Sequence, residues 1–600
     1  MTARCPTRWP VLLAGIVAGA VLLGGPAGAN TLVDLARDAG ILDAETAAVY
    51  GALDLLAPEL LPAEYRTQAP LRFCGTPVLV EANHYRDTMS PANRQLLGKV
   101  LQRPLLEYSV LTPDGHFRVH YGTGGRDGVD PLDAEGNGQP DYVDTVMAVL
   151  DRAWDLEVEA LGYRPPPADG SAGGGPELDV YILDLGRLSY YGLTYPESTG
   201  PTTSSYLELD NDYTNAIYGQ AGLCPGSAGT RELEALRVTV AHEFFHMIQF
   251  GYYQGRDGSW WQEASSTWME DVAYPEIDDY LQYVCAFLGA TQRSLDSGRP
   301  YASDYQPYGA ALFAHFLDQH YRRDTIRSVW EELGRRTSAD LSHFDRALQQ
   351  VDADGLAGAV GRFGVWNYFT GRRHRREFYA EGEKYPEPDV RPVSVAPEAT
   401  RRDSGYVDHL ATAYVALVPH GSGGVTLDTD LARGGWRRQL VLAAADTLEV
   451  LELGELGPVQ VPDWDGYEQV VLVVTNTDLT GIGFDYSVTV EYDPDLVGGD
   501  APVVLWLGYG YPNPFRPAAH GRVFLPYELD QASHSTRLSL FSADGQLVRR
   551  FDLGQRARRA YQQVWDGCNE DGEMVGSGIY YWVLEADGRV RARSLAVVRE

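Results

Sequence analysis

The stretch LRVTVAHEFFHMIQFGYYQGRDGSWWQEASSTWMED, residues 236–271, decides how the middle of this chain folds. It contains His242-Glu243-Phe-Phe-His246, an H-E-x-x-H run, and apolar residues at helical spacing precede it, which predicts a helix. Residues four apart share a helix face, so two imidazoles can grip one Zn²⁺. Glu243 is one step round the helix and can take the proton of a metal-activated water.

A third metal ligand follows in the same stretch. Glu263 comes after a turn-rich loop, GYYQGRDGS, which predicts a second helix beginning near Ser259. Two His and one Glu with an open fourth position form a known catalytic zinc set. Glu270 lies two turns further along the same face and could orient a histidine ligand. A buried helix pair with two hydrogen-bonded histidines is the alternative interpretation.

These motifs resemble those of the gluzincin peptidases. The W-x-x-E run and the second Glu seven residues later are similar to the zinc-ligand helix of the aminopeptidase and leukotriene-hydrolase branch. Ala264 stands where that branch has Gly, and the loop before it is shorter. The resemblance implies that His242, His246 and Glu263 hold zinc and that Glu243 is the catalytic base.

A later segment extends this resemblance. Tyr305-Gln-Pro-Tyr308-Gly309 is similar to the aminopeptidase segment whose Tyr hydrogen-bonds the developing oxyanion. The family Tyr lies three residues before the Gly, where this chain has Gln306. Tyr308 is the preferred donor and Tyr305 the alternative, and a Tyr that only packs is the structural interpretation.

The overall composition limits which kinds of molecule the chain is expected to bind. The 600 residues include 49 Lys and Arg against 83 Asp and Glu, so the net charge is −34. Such an acidic chain is not expected to bind nucleic acid, because phosphate contacts need basic side chains. The peptidase resemblance implies a protein or peptide substrate as the partner. The length allows several domains.

Residues 1–29 have the pattern of a secretory signal peptide. Arg4 and Arg8 precede an apolar run at 11–23 that is short for a membrane span, and Ala27-Gly28-Ala29 forms a cleavage site. No other run reaches eighteen apolar residues, so no transmembrane span is expected after signal removal. We therefore predict a secreted, extracellular or cell-surface protein, with an uncleaved anchor as the alternative.

Four cysteines follow the signal: Cys74, Cys224, Cys285 and Cys568. An even count in an exported chain permits disulfides, but spacing cannot assign them. Cys285 lies in an apolar helical run and is expected to be a buried free thiol. The RFCGTP run around Cys74 is similar to the cysteine switch of matrix metalloproteases, where a propeptide thiolate caps the zinc. A disulfide or a buried cysteine is the preferred interpretation there.

An acidic loop predicts a second metal site. Its oxygen-bearing residues fall at loop positions 1, 3, 5, 9 and 12, with Gly at position 6, as in an EF-hand. The predicted Ca²⁺ ligands are Asp133, Glu135, Asn137, Asp141 and Asp144, with the backbone carbonyl of Gln139. Because no helix clearly enters, the loop resembles the isolated calcium loops of dockerins. A solvated acidic turn is the alternative.

The predicted fold class is multidomain α+β: a gluzincin-like, mainly helical zinc-metalloprotease domain followed by two all-β modules, a sandwich and an Ig-like domain. Short β runs separated by Gly, Asp and Pro indicate the sandwich. RFCGTPVLVE, residues 72–81, is expected to be a strand. The predicted segments are a signal peptide (1–29), an N-terminal region and candidate propeptide (30–115), the protease domain (116–384, with the acidic loop 133–144), the sandwich (385–497) and the terminal domain (505–600).

The terminal module carries a second resemblance. Residues 511–600, beginning YPNPF and with a hairpin turn at Asp544-Gly545, resemble the FlgD-like Ig-like domain, which is related to C-terminal sorting domains of type IX secretion. Such a domain implies secretion or cell-surface machinery as a partner. The whole arrangement is similar to a secreted metalloprotease family first named from a myxobacterium, which implies peptide-bond hydrolysis.

The function predicted from the sequence is that of a secreted zinc-dependent endopeptidase. Two alternatives stay open. One is a surface adhesin with an inactive metalloprotease fold, against which the intact Glu243 argues. The other is a zinc hydrolase that acts on a non-peptide bond. Nothing in the sequence separates endopeptidase from exopeptidase action.

Overall fold

A computed structural model describes most of the chain after the predicted signal. The described residues are 32–66, 72–219, 224–225, 227, 229–298, 304–397, 399–418, 421–444, 448–453, 458–497, 506–507, 510–529, 532–543, 545–586 and 589–599. The predicted signal peptide and Asp544 of the predicted hairpin turn lie outside them. Contacts divide the chain into two units, Met1–Ala286 with Gly298–Ala311, and Phe287–Ser297 with Leu312–Glu600. Within the described part, no helix has the length and apolar character that a membrane crossing requires.

A six-stranded mixed sheet is the centre of the first unit. Its order is β1-β5-β6-β4-β3-β2. β3, β4 and β6 run parallel, β5 is antiparallel to β6, and β1 is parallel to β5 at the edge. The strands are β1 (Arg72–Cys74), β2 (Tyr108–Leu111), β3 (Phe117–Tyr121), β4 (Leu178–Leu183), β5 (Tyr190–Pro196) and β6 (Ser205–Asp210). Strands from the predicted segments 30–115 and 116–384 thus share one sheet, and this unit is mixed α/β where the sequence led us to expect a mainly helical domain.

The first unit also contains helices from its N-terminal region to the segment after residue 304. They are α1 (Leu32–Asp38), α2 (Ala44–Leu56), α3 (Thr76–His84), α4 (Pro91–Val100), α5 (Asp141–Trp154), α6 (Glu232–Phe250), α7 (Ser259–Ala273), α8 (Val284–Leu288, whose last two residues belong to the second unit) and α9 (Gln306–Gly309). A π-helical turn, Asp155–Ala160, continues α5. The helix predicted to begin near Ser259 is confirmed as α7.

The two faces of β5 contact different helices, because successive strand residues point to opposite sides of a sheet. Leu193 and Tyr195 share an apolar core with residues of α2, α3 and α4. Thr194 instead hydrogen-bonds Glu243 on α6. At Gly192 a Cβ would lie 2.6 Å from Thr239 and 2.8 Å from Glu243, so only glycine lets β5 approach α6 this closely.

The segment RFCGTPVLVE differs from its prediction. The strand ends at Cys74, and α3 begins at Thr76. Pro77 lies in the first turn of α3, where its missing N–H costs nothing and its fixed φ suits a helix. The apolar run that suggested a strand is therefore the buried face of a helix.

The second unit contains helices and two β modules. Its helices are α10 (Ala311–Phe316, whose first residue belongs to the first unit), α11 (Asp324–Arg336), α12 (Leu341–Leu348), α13 (Gly355–Tyr368) and the short α14 (Pro517–His520). Its strands are β7 (Arg391–Ser394), β8 (Thr400–Val407), β9 (Ala411–Val418), β10 (Gly424–Leu431), β11 (Trp436–Ala443), β12 (Leu448–Leu453), β13 (Val459–Val461), β14 (Gln469–Asn476), β15 (Phe484–Asp493), β16 (Trp506–Leu507), β17 (Val523–Leu529), β18 (Ser533–Ser542), β19 (Leu547–Arg556), β20 (Arg559–Trp565), β21 (Gly578–Ala586) and β22 (Arg589–Val597).

Each β module has its own core. Sheets β13-β10-β15-β8 and β12-β11-β14-β9-β7 enclose one apolar cluster around Trp464, which confirms β-sandwich content in the predicted 385–497 region. Sheets β16-β17-β20 and β19-β18-β21-β22 enclose a second cluster around Trp565 and Trp582. Separate cores are typical of independently folding modules.

A disulfide joins Cys224 to Cys285 in the first unit, with Cα atoms 5.4 Å apart. The prediction that Cys285 is a free thiol was wrong, because an apolar helical run gives no information on which cysteine packs against it. Cys74 and Cys568 are free, the first buried and the second partly exposed.

Removing this disulfide should lower the stability of the first unit. The bridge closes a loop with a sequence separation of 61, and loop-closure entropy for that size is worth about 4 kcal/mol. We expect Cys224→Ser with Cys285→Ser to lower the guanidinium midpoint, followed by circular dichroism. Cys568→Ser, which removes a free thiol, is the control and should leave the midpoint in place. A double variant with the parent's midpoint would contradict the assignment.

Candidate metal centre

Three side chains predicted as metal ligands meet in the interior of the first unit. His242 and His246 come from α6 and Glu263 from α7. The two Nε2 atoms lie 3.1 Å apart, and each lies 3.3 Å from one oxygen of Glu263. His246 and Glu263 are fully buried, and His242 is 5% exposed. The structure therefore brings the predicted ligands to one point.

The outer nitrogens of both histidines have acceptors. His242 Nδ1 lies 2.6 Å from Glu270 Oε1, and His246 Nδ1 lies 2.8 Å from Gln249 Oε1. The Gln249 amide is itself fixed, because it donates to the Gln262 carbonyl and to Ser266. A proton on each Nδ1 satisfies these contacts and leaves each Nε2 as a bare lone pair.

The imidazole Nε2 atoms and the Glu263 oxygens that converge here are all acceptors. Both oxygens of Glu263 are buried and lack a hydrogen-bond partner. A buried carboxylate without compensation costs several kcal/mol, so the arrangement calls for a cation. Two imidazole nitrogens and a carboxylate are a donor set that zinc takes in catalytic sites, so these residues fit zinc.

The electrostatics favour positive charge at the same point. Burial opposes ionisation of Glu263, but the nearby His246 and His242 outweigh it and hold its pKa at about 2. Burial likewise opposes a charged His242, yet the neighbouring Cys74, Glu263 and Glu270 raise its pKa well above the ordinary value, so a proton and a metal ion compete for this side chain. Burial raises the pKa of Glu270 to about 8, against the pull of His242.

Cys74 is the fourth member of the cluster. Its Sγ lies 3.5 Å from His246 Nε2, and the ligand atoms of Cys74, His242, His246 and Glu263 all lie within 4.8 Å of one another. Burial, with Glu243 and Glu263 adding to it, raises the pKa of the thiol well above its ordinary value. The preferred prediction of a buried cysteine is confirmed, the disulfide is not, and its position matches the switch-like alternative.

Glu243 lies beside this cluster and is held by two hydroxyl groups. Thr194 donates to its Oε2 at 2.7 Å and Thr76 at 3.0 Å. The Thr76 hydroxyl in turn accepts the backbone N–H of Thr194 at 2.8 Å. Glu243 is 1% exposed. The carboxylate predicted to be the base is thus fixed in one orientation next to the ligands.

The two candidate tyrosines differ in position. Tyr308 is 2% exposed, its ring centroid lies 6.3 Å from that of His242, and its hydroxyl lies 3.5 Å from the Cys74 carbonyl. Tyr305 packs on Tyr308 and Tyr283. Of the two, Tyr308 is in ring contact with a metal-ligand histidine. The space bounded by His242, Glu243, Glu270 and Tyr308 is about 20 Å³, roughly the room for one water.

The acidic loop is built around Asp133. Its carboxylate accepts the backbone N–H groups of Gly136, Asn137 and Gly138, and Asp141 accepts that of Ala134. Asn137 donates to Asp144. Among the described residues, this loop does not bring three His, Cys, Asp or Glu ligand atoms within 4.8 Å of one another. Calcium binding by Glu135, Gln139 and the other loop residues stays a prediction.

Three residues that hold the site in place were not predicted from the sequence. Gln249 lies three residues after His246, a spacing that places both on one helix face and could have identified it. Thr194 and Thr76 gave no signal, because their roles depend on where β5 and the start of α3 lie relative to α6.

The C-terminal part of the sequence matches a known domain family. A sequence profile of the FlgD Ig-like domain matches residues 518–589. This confirms the predicted Ig-like module at the C-terminal end of the sequence. No curated protein matches the chain.

Several solved structures are similar over limited lengths. FlgD from P. aeruginosa is 23% identical over 12% of this chain and 61% of its own, with a TM-score of 0.12. PorZ, a surface component of the type-IX secretion system of Porphyromonas gingivalis, is 16% identical over 27% and 22%, with a TM-score of 0.13. Latent dimeric PorU from Porphyromonas gingivalis is 10% identical over 35% and 32%, with a TM-score of 0.15. The chain spans 61% of FlgD and less of the other two, and TM-scores this low carry no argument on the fold.

Removing the carboxyl group behind His242 should weaken zinc binding, because this group supports the Nδ1–H of the predicted ligand. Glu270→Gln keeps an oxygen acceptor for Nδ1 but removes the carboxylate, and we expect about a 10- to 100-fold loss of affinity. Glu263→Ala should abolish stoichiometric binding. A competition titration with a chromophoric chelator measures both. Glu208→Gln is the matched control, since Glu208 is a buried carboxylate bound by Tyr195 and not by a metal-cluster residue. Equal affinities of the two Gln variants would contradict the role of Glu270.

Proposed function

We propose that this chain is an exported zinc-dependent peptidase whose catalytic residues are His242, His246, Glu263 and Glu243. The observation that carries the proposal is the convergence of two bare imidazole nitrogens and an unpartnered carboxylate beside a fixed Glu243. A structural role would need the ligands but not a second carboxylate oriented next to them.

Each residue has a definite task in this proposal. A zinc ion held by His242, His246 and Glu263 supplies Lewis acidity that activates water and polarises a carbonyl. Glu243 takes the proton of the attacking water and delivers it to the leaving amine. Tyr308, beside His242, can donate its hydroxyl hydrogen to the oxyanion. Glu270 and Gln249 keep the two imidazoles in the required tautomer.

A structural zinc site is a second candidate function, and Cys74 favours it. Structural sites are closed by four protein ligands, whereas catalytic sites keep one position open. The cluster contains four potential ligands when Cys74 is counted. The two candidates differ in what loss of the sulfur does: a structural site is weakened by it, and a catalytic site with a blocked position becomes accessible.

The terminal module supports an extracellular location for the proposed peptidase. Its matched profile is that of an Ig-like domain, and its core is distinct from that of the sandwich. We propose that residues 505–600 carry or retain the chain at the cell surface through secretion machinery. The similarity of the terminal module to sorting domains supports this role, and the described residues of the module contribute nothing to the metal centre.

Replacing the base should separate catalysis from metal binding. Glu243→Gln preserves the shape and the contacts of Thr194 but cannot take a proton. We expect a loss of about 10²- to 10⁴-fold in turnover of a fluorogenic peptide library with zinc content unchanged. The comparison is made in the parent chain and in Cys74→Ala, since Cys74 lies on the cluster. Full activity in Glu243→Gln would overturn the mechanism, and chelator-insensitive hydrolysis would overturn the zinc assignment.

Deleting the terminal module should affect location and not the metal centre. A chain that ends at Val497 keeps the sandwich core intact, and no metal-cluster residue is removed. We expect unchanged zinc affinity of the purified protein and loss of surface retention in the producing cell, followed by fractionation. A soluble but zinc-free truncated chain would contradict the independence of the module. Unchanged surface retention would contradict its sorting role.

A further inference from the structure

The segment of residues 74–76, Cys-Gly-Thr, occupies the metal centre from outside α6 and α7. β1, which ends at Cys74, pairs with the edge of β5 so that Cys74 lies opposite Gly192. Gly192 is the residue where β5 packs against Glu243. The pairing therefore sets the thiol and the following residues over the ligands and the base together.

Two polar contacts link this segment to the catalytic groups. Cys74 Sγ approaches His246 Nε2 at 3.5 Å, and Thr76 Oγ1 donates to Glu243 Oε2 at 3.0 Å. The backbone N–H of Thr76 also points to the sulfur, at 3.3 Å. An N–H directed at sulfur stabilises a thiolate over a thiol. One residue of the segment thus meets the metal ligands and another meets the base.

Gly75 shows how tightly this segment is packed. A Cβ at this residue would lie 2.2 Å from Leu193 and 2.8 Å from Leu55. Its φ is −102°, so the glycine is required by the close approach and not by the backbone angle. His246 and Glu263 are fully buried and Glu243 is 1% exposed, so no peptide can reach these residues in this arrangement.

The cluster itself indicates that the sulfur faces a ligand. The buried, unpartnered oxygens of Glu263 call for a cation, and the sulfur of Cys74 lies within 4.8 Å of them. Thiolate is a strong zinc donor. A thiolate bound to a zinc ion at this point completes four-coordination.

We propose that residues 74–76 form an internal latch that keeps the proposed peptidase latent. Cys74 supplies the fourth ligand, Thr76 holds the base, and β1 covers the edge of β5. Release breaks the metal–sulfur bond together with the Thr76–Glu243 hydrogen bond and the β1–β5 pairing, and the sulfur takes one proton from water, so no oxidant or reductant is needed. Release also uncovers the β5 edge, whose free backbone groups suit an extended polypeptide. This inference rests on the proposed function.

The metal–sulfur contact is tested by its absorption. The chain lacking residues 1–29 and carrying Cys568→Ala has Cys74 as its one free thiol, because Cys224 and Cys285 are bridged. Loaded with Co²⁺, it should show a near-ultraviolet thiolate-to-cobalt charge-transfer band. The band should vanish when Cys74→Ala is added. Stoichiometric cobalt binding without the band would overturn the latch, and this readout needs no activity.

Peptide hydrolysis then separates the latch from the proposed function. If less than a tenth of the chain is unlatched, Cys74→Ala should raise turnover of a peptide library about 10-fold or more, with metal retained. Cys568→Ala is the matched control and should not change it. A parent chain as active as Cys74→Ala would overturn the latch and leave the peptidase standing. Inactivity of both with metal bound would overturn the peptidase, and loss of metal in Cys74→Ala would identify Cys74 as a structural ligand.

Discussion

The buried carboxylate of Glu263, held against two imidazoles, is the contact on which the first unit depends. A carboxylate fully removed from water and given no hydrogen-bond donor destabilises a protein unless a positive charge lies next to it. Neighbouring histidines already lower its pKa to about 2, which shows how strongly the site favours the charged form. A cation at this point satisfies Glu263, both Nε2 atoms and the Cys74 sulfur together. In the proposed metalloenzyme, metal binding and the packing of α6 against α7 would therefore be coupled.

The six-stranded sheet brings the base and the residues that support it next to this contact. β5 lies against α6 through Gly192 and contributes Thr194 to the base, while its other face anchors the N-terminal helices through Leu193. One strand thus positions Glu243 and carries the segment that covers it. β1 of the N-terminal region therefore lies at the sheet edge beside this site, and in the proposed latch this edge strand controls access. Edge strands are the part of a sheet that another chain can replace.

The two β modules make a different contribution. Each encloses its own apolar core, and the terminal one has the sequence of a FlgD Ig-like domain. Their described residues contribute none of the four clustered ligands. In the proposed function, such a protein is delivered first and becomes active later. The acidic composition disfavours binding to nucleic acid and favours solubility.

The sequence by itself determined the parts of this protein that depend on local spacing. His242 and His246 share a face because they are four residues apart on a helix. Glu263 and Glu270 could be predicted because they share one face of the next helix. The terminal module could be predicted from its own motifs. Only the tertiary structure decided what approaches these residues from a distance. Cys74 reaches His246 across 172 positions and Thr76 reaches Glu243 across 167, because β1 joins the sheet beside β5. The partner of Cys285 and the start of α3 at Thr76 were likewise beyond local pattern. Pairing between distant segments is set by the packing of the whole core, which no short periodicity in a single sequence encodes.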